Sequence, residues 1–248
     1  ITNNGNLPED YDTGGAFDPD DPPSSLTGCP ADYDGIRVDQ GGEGSLTGNV
    51  LRTTVDGNLA DGLEYDETGP GDVIAMTVKS TFSNNGATGT NDLDDGFDID
   101  ETGEGSVMAS FVKVEVNGNE DEGLDIDEAG EGDVDVMVTN SEANDNFDEN
   151  IKVDEEDDGS LAFTMTNSDA MESVDSDGVR LTEEDAGDFD ARIVNSTIVN
   201  NESAVRFEQE TVADDFGSLK IFNSDLTSDD DALDDRGGVV VKLRNVIQ

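Results

Sequence analysis

The chain has no histidine and no tryptophan, one cysteine, and 12 lysines and arginines against 62 aspartates and glutamates. Without histidine it lacks the usual acid–base group of neutral pH and the commonest metal-binding side chain. A single cysteine, Cys29, excludes an intrachain disulfide. It is expected either as a free thiol in an N-terminal loop or as a link to another chain. A formal charge of -50 repels nucleic acid and anionic membrane surfaces, and favours cations and cationic partners. No apolar run is long enough to span a bilayer, so no membrane insertion is expected. Tyrosine is scarce (Tyr11, Tyr33 and Tyr65), which leaves few aromatic platforms for a sugar-binding cleft. With 33% apolar residues the composition alone lies near the disordered class.

What overrules that composition is a repeat. Asp95-Gly96-Phe97-Asp98-Ile99-Asp100-Glu101 returns 27 residues later as Glu122-Gly123-Leu124-Asp125-Ile126-Asp127-Glu128. Anchored on the small residue before the first apolar one, the copies start at Gly35, Gly62, Gly96, Gly123, Asn150, Gly178, Ala204 and Ala232. The next residue is always apolar: Ile36, Leu63, Phe97, Leu124, Ile151, Val179, Val205 and Leu233. Two positions on, seven copies are apolar again, from Val38 to Phe207. Alternation with a period of two marks a strand with one buried face. A Gly-rich or acidic turn follows, and alternation resumes eleven residues after the anchor, as in Val134, Val136 and Val138. A fixed period of this size predicts a solenoid whose copies bury their apolar side chains against their neighbours.

The spacing of 34 residues between Gly62 and Gly96 predicts an insertion around Asn84 to Asn91. The seventh copy delays its second strand to Leu219 and Ile221, which predicts another. Four copies place Asn-Ser at one corner: Asn140-Ser141, Asn167-Ser168, Asn195-Ser196 and Asn223-Ser224. Asparagine accepts left-handed backbone angles, and its amide can bond the next asparagine when coils stack about 4.8 Å apart. With these strands, turns and corners the chain resembles the right-handed parallel β-helix superfamily, the pectate-lyase-like fold. The resemblance covers residues 35–248 and implies an all-β solenoid of about eight coils, a rod of roughly 35 to 40 Å. Residues 1–34 lack the repeat and read as an N-terminal arm or a cover over the first coil.

Aspartate and glutamate also recur in columns. Four positions after the anchor stand Asp39, Asp66, Asp100, Asp127 and Asp154, and one further on Glu67, Glu101, Glu128, Glu155 and Glu183. Asp98 and Asp125 share the outward face of their strands with Asp100 and Asp127. Two charges about 4.8 Å apart repel by about 0.9 kcal/mol even in water. Calcium answers that repulsion, being a hard cation that takes six to eight oxygen ligands in irregular geometry. The expected ligands are Asp98, Asp100, Asp125 and Asp127, followed by Asp66, Asp154, Glu101 and Glu128. A halophilic surface that binds hydrated cations diffusely is the alternative, and five lysines in 248 residues suit it. Toward the C-terminus Lys152, Arg180 and Arg206 replace the acids, with ion pairs to Asp154 and Glu208 expected in place of metal. The resemblance implies a further role for such a pair, since some lyases of this fold combine aspartate-bound calcium with an arginine base.

The function expected is non-enzymatic: an extracellular or cell-surface structural or adhesive solenoid, stabilised by calcium or high salt. It would stack end to end into fibres or contact a matrix polysaccharide. The alternative is a calcium-dependent polysaccharide-binding module or lyase. The start at Ile1 rather than Met suggests a processed or excised piece, and the sequons at Asn195 and Asn201 add weak support for export.

Overall fold

The computed structural model describes residues 34–86, 94–210 and 217–248. The N-terminal arm, Cys29 and most of both predicted insertions lie outside these residues. The fold is an all-β solenoid of three parallel sheets, with no helix among the described residues. Strands are numbered along the chain. The first sheet stacks β1 (Ile36–Gln40), β4 (Leu63–Glu67), β7 (Phe97–Glu101), β10 (Leu124–Ala129), β13 (Ile151–Glu156), β16 (Val179–Glu183), β19 (Ser203–Gln209) and β21 (Asp231–Gly237). The second stacks β2 (Leu46–Leu51), β5 (Val73–Val78), β8 (Val107–Val112), β11 (Val134–Thr139), β14 (Leu161–Thr166), β17 (Phe189–Val194), β20 (Gly217–Phe222) and β22 (Val239–Arg244). The third is shorter: β3 (Thr54–Asp56), β6 (Thr81–Ser83), β9 (Glu115–Asn117), β12 (Glu142–Asn144), β15 (Asp169–Met171) and β18 (Thr197–Val199). Two isolated bridges, Thr197 to Asp225 and Asp225 to Ile247, carry it onward. Eight stacked strands make seven steps, about seven turns of the solenoid.

The apolar column after the anchor is a column in space. Leu63 pairs with Phe97, Phe97 with Leu124, Ile151 with Val179, Val179 with Val205 and Val205 with Leu233. The side chains of Leu63 to Val205 in this column are buried between the three sheets. Large and small residues compensate: a Cβ at Gly48 would collide with the Tyr65 ring, and Phe97 meets Tyr65, Phe82 and Phe111 edge to face at 5.1–5.6 Å. The first coil is less covered, and Val38 is 40% exposed.

The Asn-Ser corner is a ladder. Asn195 Nδ2 donates to Asn167 Oδ1 at 3.1 Å, Asn223 to Asn195 at 3.2 Å and Asn245 to Asn223 at 2.8 Å. Each sits at φ near +50°, a conformation asparagine accepts more readily than most residues. The serines form a parallel ladder, each hydroxyl accepting the backbone N–H of the preceding coil's corner, as in Ser141 N to Ser168 Oγ at 3.1 Å. A second, buried asparagine ladder escaped the sequence pattern. It runs Asn58, Asn85, Asn119, Asn146 and then Asn150 and Asn201, with amide-to-amide bonds of 2.8–3.1 Å. Asn84 and Asn85 therefore belong to the coil, and the extra residues of the first insertion fall after Gly86. The ladders also occupy both sequons: Asn195 is bonded on both sides, and Asn201 is 1% exposed.

Candidate metal centre

The first sheet carries three acidic columns toward one outer groove. The first precedes the anchor, and its carboxylates brace the stack. Asp34 Oδ1 accepts the N–H of Asp61 at 3.1 Å, Asp61 Oδ1 that of Asp95 at 2.5 Å, and Asp95 Oδ1 that of Glu122 at 2.8 Å. The other two columns lie two and four residues after the anchor, on the outward side of each strand. In register, Glu64 pairs with Asp98 and Asp98 with Asp125, while Asp66 pairs with Asp100 and Asp100 with Asp127.

Fixed cations stand at both ends of the column two after the anchor. Arg37 reaches Glu64 at 2.7 Å and also pairs with Asp66 and Asp39. Lys152 Nζ sits 3.0 Å from both Asp125 Oδ2 and Asp127 Oδ2, with Asp154 at 3.8 Å. Arg180 follows on Asp154 at 3.3 Å, and Arg206 on Asp177 at 3.9 Å rather than on the expected Glu208. Between Arg37 and Lys152 the column is acidic: Glu64, Asp98, Asp125. Among the described residues no lysine or arginine lies within ion-pair distance of Asp95, Asp98 or Asp100.

In that gap the carboxylates converge. Glu64, Asp98 and Asp100 present oxygens within 4.8 Å of one another, and so do Asp95, Asp98 and Asp125. Asp98 belongs to both groups and is their hinge. Similar groups form at Asp34–Asp61–Glu64, Asp95–Asp121–Glu122 and Glu122–Asp148–Glu149. Burial, then the neighbouring charges, pushes Glu64 up to about 10 and Asp100 up to about 6. Burial, then Asp121, raises Glu122 to about 7. Asp95, Asp98 and Asp125 are raised well above the carboxylate range by burial first and by their acidic neighbours second. Lys152 shows the opposite balance. Burial works against its charge, but Asp125 and Asp127 outweigh it and hold the ammonium protonated. The donors are all hard oxygens, and Asp125 Oδ1 is buried without a hydrogen-bond partner. This set fits calcium or a similar hard cation.

The eight residues expected from the sequence separate into three places. Asp98, Asp100 and Asp125 share the convergent groups. Asp127 and Asp154 pair with Lys152, the latter also with Arg180, and Asp66 with Arg37; Asp125 and Glu64 pair with Lys152 and Arg37 as well, through Oδ2 and Oε2, which leaves Asp125 Oδ1 to the convergent group. Glu101 and Glu128 are elsewhere: they are 0% exposed, and their side chains turn inward beneath the Gly-rich turns. Their place among the outer ligands is corrected there: Glu101 and Glu128 stand two residues beyond the buried Ile99 and Ile126, so the period of two turns them inward with the apolar side chains. The acids before the anchor, Asp95 above all, join the site though the ligand pattern did not include them. Their sequence signal was the regular acid preceding each anchor glycine.

No protein-family model matches this chain, and neither a curated protein nor a solved structure does.

Proposed function

We propose that the chain is a non-enzymatic structural solenoid, displayed outside the cell, whose middle coils are locked by calcium on Asp98 with Glu64, Asp100, Asp95 and Asp125. The observation that carries this is the interrupted column: built-in cations at Arg37 and Lys152, and an acidic gap between them where carboxylate oxygens converge within 4.8 Å. Lysine and arginine do at the ends what a divalent ion would do in the middle. A carboxylate cluster open to solvent on one side suits the weak calcium affinities that serve in extracellular modules. The coil is taken to be right-handed and of the pectate-lyase-like kind, which the strong preference for right-handed parallel crossovers supports.

Self-association end to end belongs to the same proposal. In the last coil Leu233, Val239 and Val241 are only partly buried, and β22 exposes Val240, Leu243 and, just beyond it, Ile247. Its unpaired edge and apolar fringe suit another copy or a matrix polymer. The test of the calcium lock is thermal unfolding at constant ionic strength, in calcium and in EGTA, for the natural chain and for Asp98→Asn. Calcium at a hundred times its Kd should stabilise the natural chain by about 2.7 kcal/mol, a shift of roughly 5 to 10 °C. Asp98→Asn should show a smaller shift than the natural chain. Equal melting of the natural chain in calcium and EGTA would refute the lock.

A further inference from the structure

Beneath the turns that join the first and second sheets runs a file of glutamates: Glu67, Glu101, Glu128, Glu155 and Glu183, each 0% exposed. They are paired in register from coil to coil, so their carboxylates stack at about the 4.8 Å strand spacing. The file ends in glutamine on both sides, Gln40 pairing with Glu67 and Gln209 with Glu183.

These glutamines show what the position requires. Gln40 Oε1 accepts the N–H of Gly42 at 2.8 Å, while its Nε2 donates to the turn carbonyl of Gly44. Gln209 Nε2 likewise donates to Gly187 O at 2.8 Å. Glu67 and Glu101 repeat the first half: Glu67 Oε2 accepts Gly69 N at 3.1 Å, and Glu101 Oε1 accepts Gly103 N at 2.9 Å. The second half is missing. Glu67 Oε1, Glu101 Oε2 and both oxygens of Glu155 are buried with no donor against them, while Glu101 meets the carboxyls of Glu67 and Glu128, and Glu128 also faces the backbone N–H of Gly130. Where glutamine brings an N–H donor, glutamate brings an oxygen, and carboxyl follows carboxyl along the file.

The glycines of the turns pack close on these carboxylates, at Glu101 against the hydrogen-bonded Oε1. A Cβ at Gly103 or Gly105 would come within 2.9 and 3.1 Å of Glu101 Oε1, and one at Gly132 within 2.9 Å of Glu128 Oε1. Glycine thus lets the backbone close over the carboxylates. Oxygen facing oxygen in a buried site needs either a proton or a cation between. Glutamine is the neutral, donor-bearing isostere, and it occupies the two end positions, Gln40 and Gln209. A carboxylate is retained wherever the file continues on both sides.

We propose that this file is a second, interior cation site: a row of calcium ions held between successive glutamates and the carbonyls of the turns. Two carboxylates and several backbone carbonyls supply the oxygen number calcium takes. The ions enter through the acidic trough over these turns, lined by Glu131, Asp157, Asp158, Asp185 and Ala186. The site is distinct from the outer groove, since the glutamates point to the opposite side of the strand from Asp98 and Asp125.

The test counts calcium bound to the whole chain by equilibrium dialysis, for the natural protein, Glu155→Gln and Asp98→Asn. Glutamine already fits this position at Gln40 and Gln209, so Glu155→Gln is expected to fold. It should bind at least one calcium ion fewer than the natural chain, and Asp98→Asn should lose ions independently. An unchanged count in Glu155→Gln, with higher stability in EGTA, would overturn the proposal in favour of shared protons, whatever Asp98→Asn does. Infrared spectra of the natural chain give a readout independent of the variant. The protonated-carboxyl band should be present in EGTA and vanish in saturating calcium. A band that persists in calcium and is lost in Glu155→Gln would also overturn the proposal.

Discussion

Lys152 shows how single residues decide where charge is tolerated. Its ammonium lies 3.0 Å from Asp125 and from Asp127, and only 13% of its side chain is exposed. Removing one partner of a buried pair leaves the other charge uncompensated, at a cost of about 3 to 5 kcal/mol. Lys152→Ala should therefore destabilise the chain by that order in EGTA, measured by urea denaturation. Calcium should recover a large part of the loss, because the vacated position borders the Asp95–Asp98–Asp125 group and is ringed by Asp125, Asp127 and Asp154. A variant equally destabilised with and without calcium would show that the position selects ammonium geometry rather than positive charge. Gly103 and Gly105 act by what they lack. A Cβ at either would run into the carbonyl of Gly69 or Gly71 in the coil below, so any side chain there would separate the turns.

At the scale of the strand, the first sheet couples an apolar inner face to an acidic outer one, and this makes its stability depend on pH. Without metal, Glu64 is raised to about 10, and Glu128 and Glu155 to about 9, by burial first and neighbouring carboxyls second. Acids whose folded pKa lies above the unfolded value hold more protons when folded, so stability falls as pH rises. The window runs from about 4.5, the ordinary glutamate value, to about 9 or 10. Melting in EGTA should drop steadily from pH 5 to pH 9, and saturating calcium should flatten that slope. The strands themselves were legible from alternation: Phe97, Ile99, Leu124 and Ile126 pair as their spacing required. So was the outer position of Asp98 and Asp100, which follows from the same period of two. Glu101 and Glu128 misled because their charge suggested water, although the same period of two, continued from Phe97 and Ile99 and from Leu124 and Ile126, carries them inward. The buried asparagine ladder went unread for a related reason. Gly57-Asn58, Gly118-Asn119 and Asn200-Asn201 look like ordinary turn formers until successive coils bring their amides together.

Over the whole molecule, a chain of net charge -50 folds because each coil meets only its neighbours, so repulsion between stacked acids must be relieved locally. The four basic residues of the outer groove relieve the ends, and bound calcium is the proposed relief of the middle. A diffuse ionic atmosphere is the competing explanation, and it predicts a different response to salt. Surface charge is screened within about 3 Å at 1 M salt, whereas ions ligated by several carboxylates are displaced far less readily. The direct measurement is the number of calcium ions bound per chain at equilibrium dialysis in low salt and in molar sodium chloride, with free calcium held at about 5 mM in both. A small integral number should persist in high salt and fall in Asp98→Asn. Calcium that falls away continuously as sodium rises, with Asp98→Asn indistinguishable from the natural chain, would contradict it.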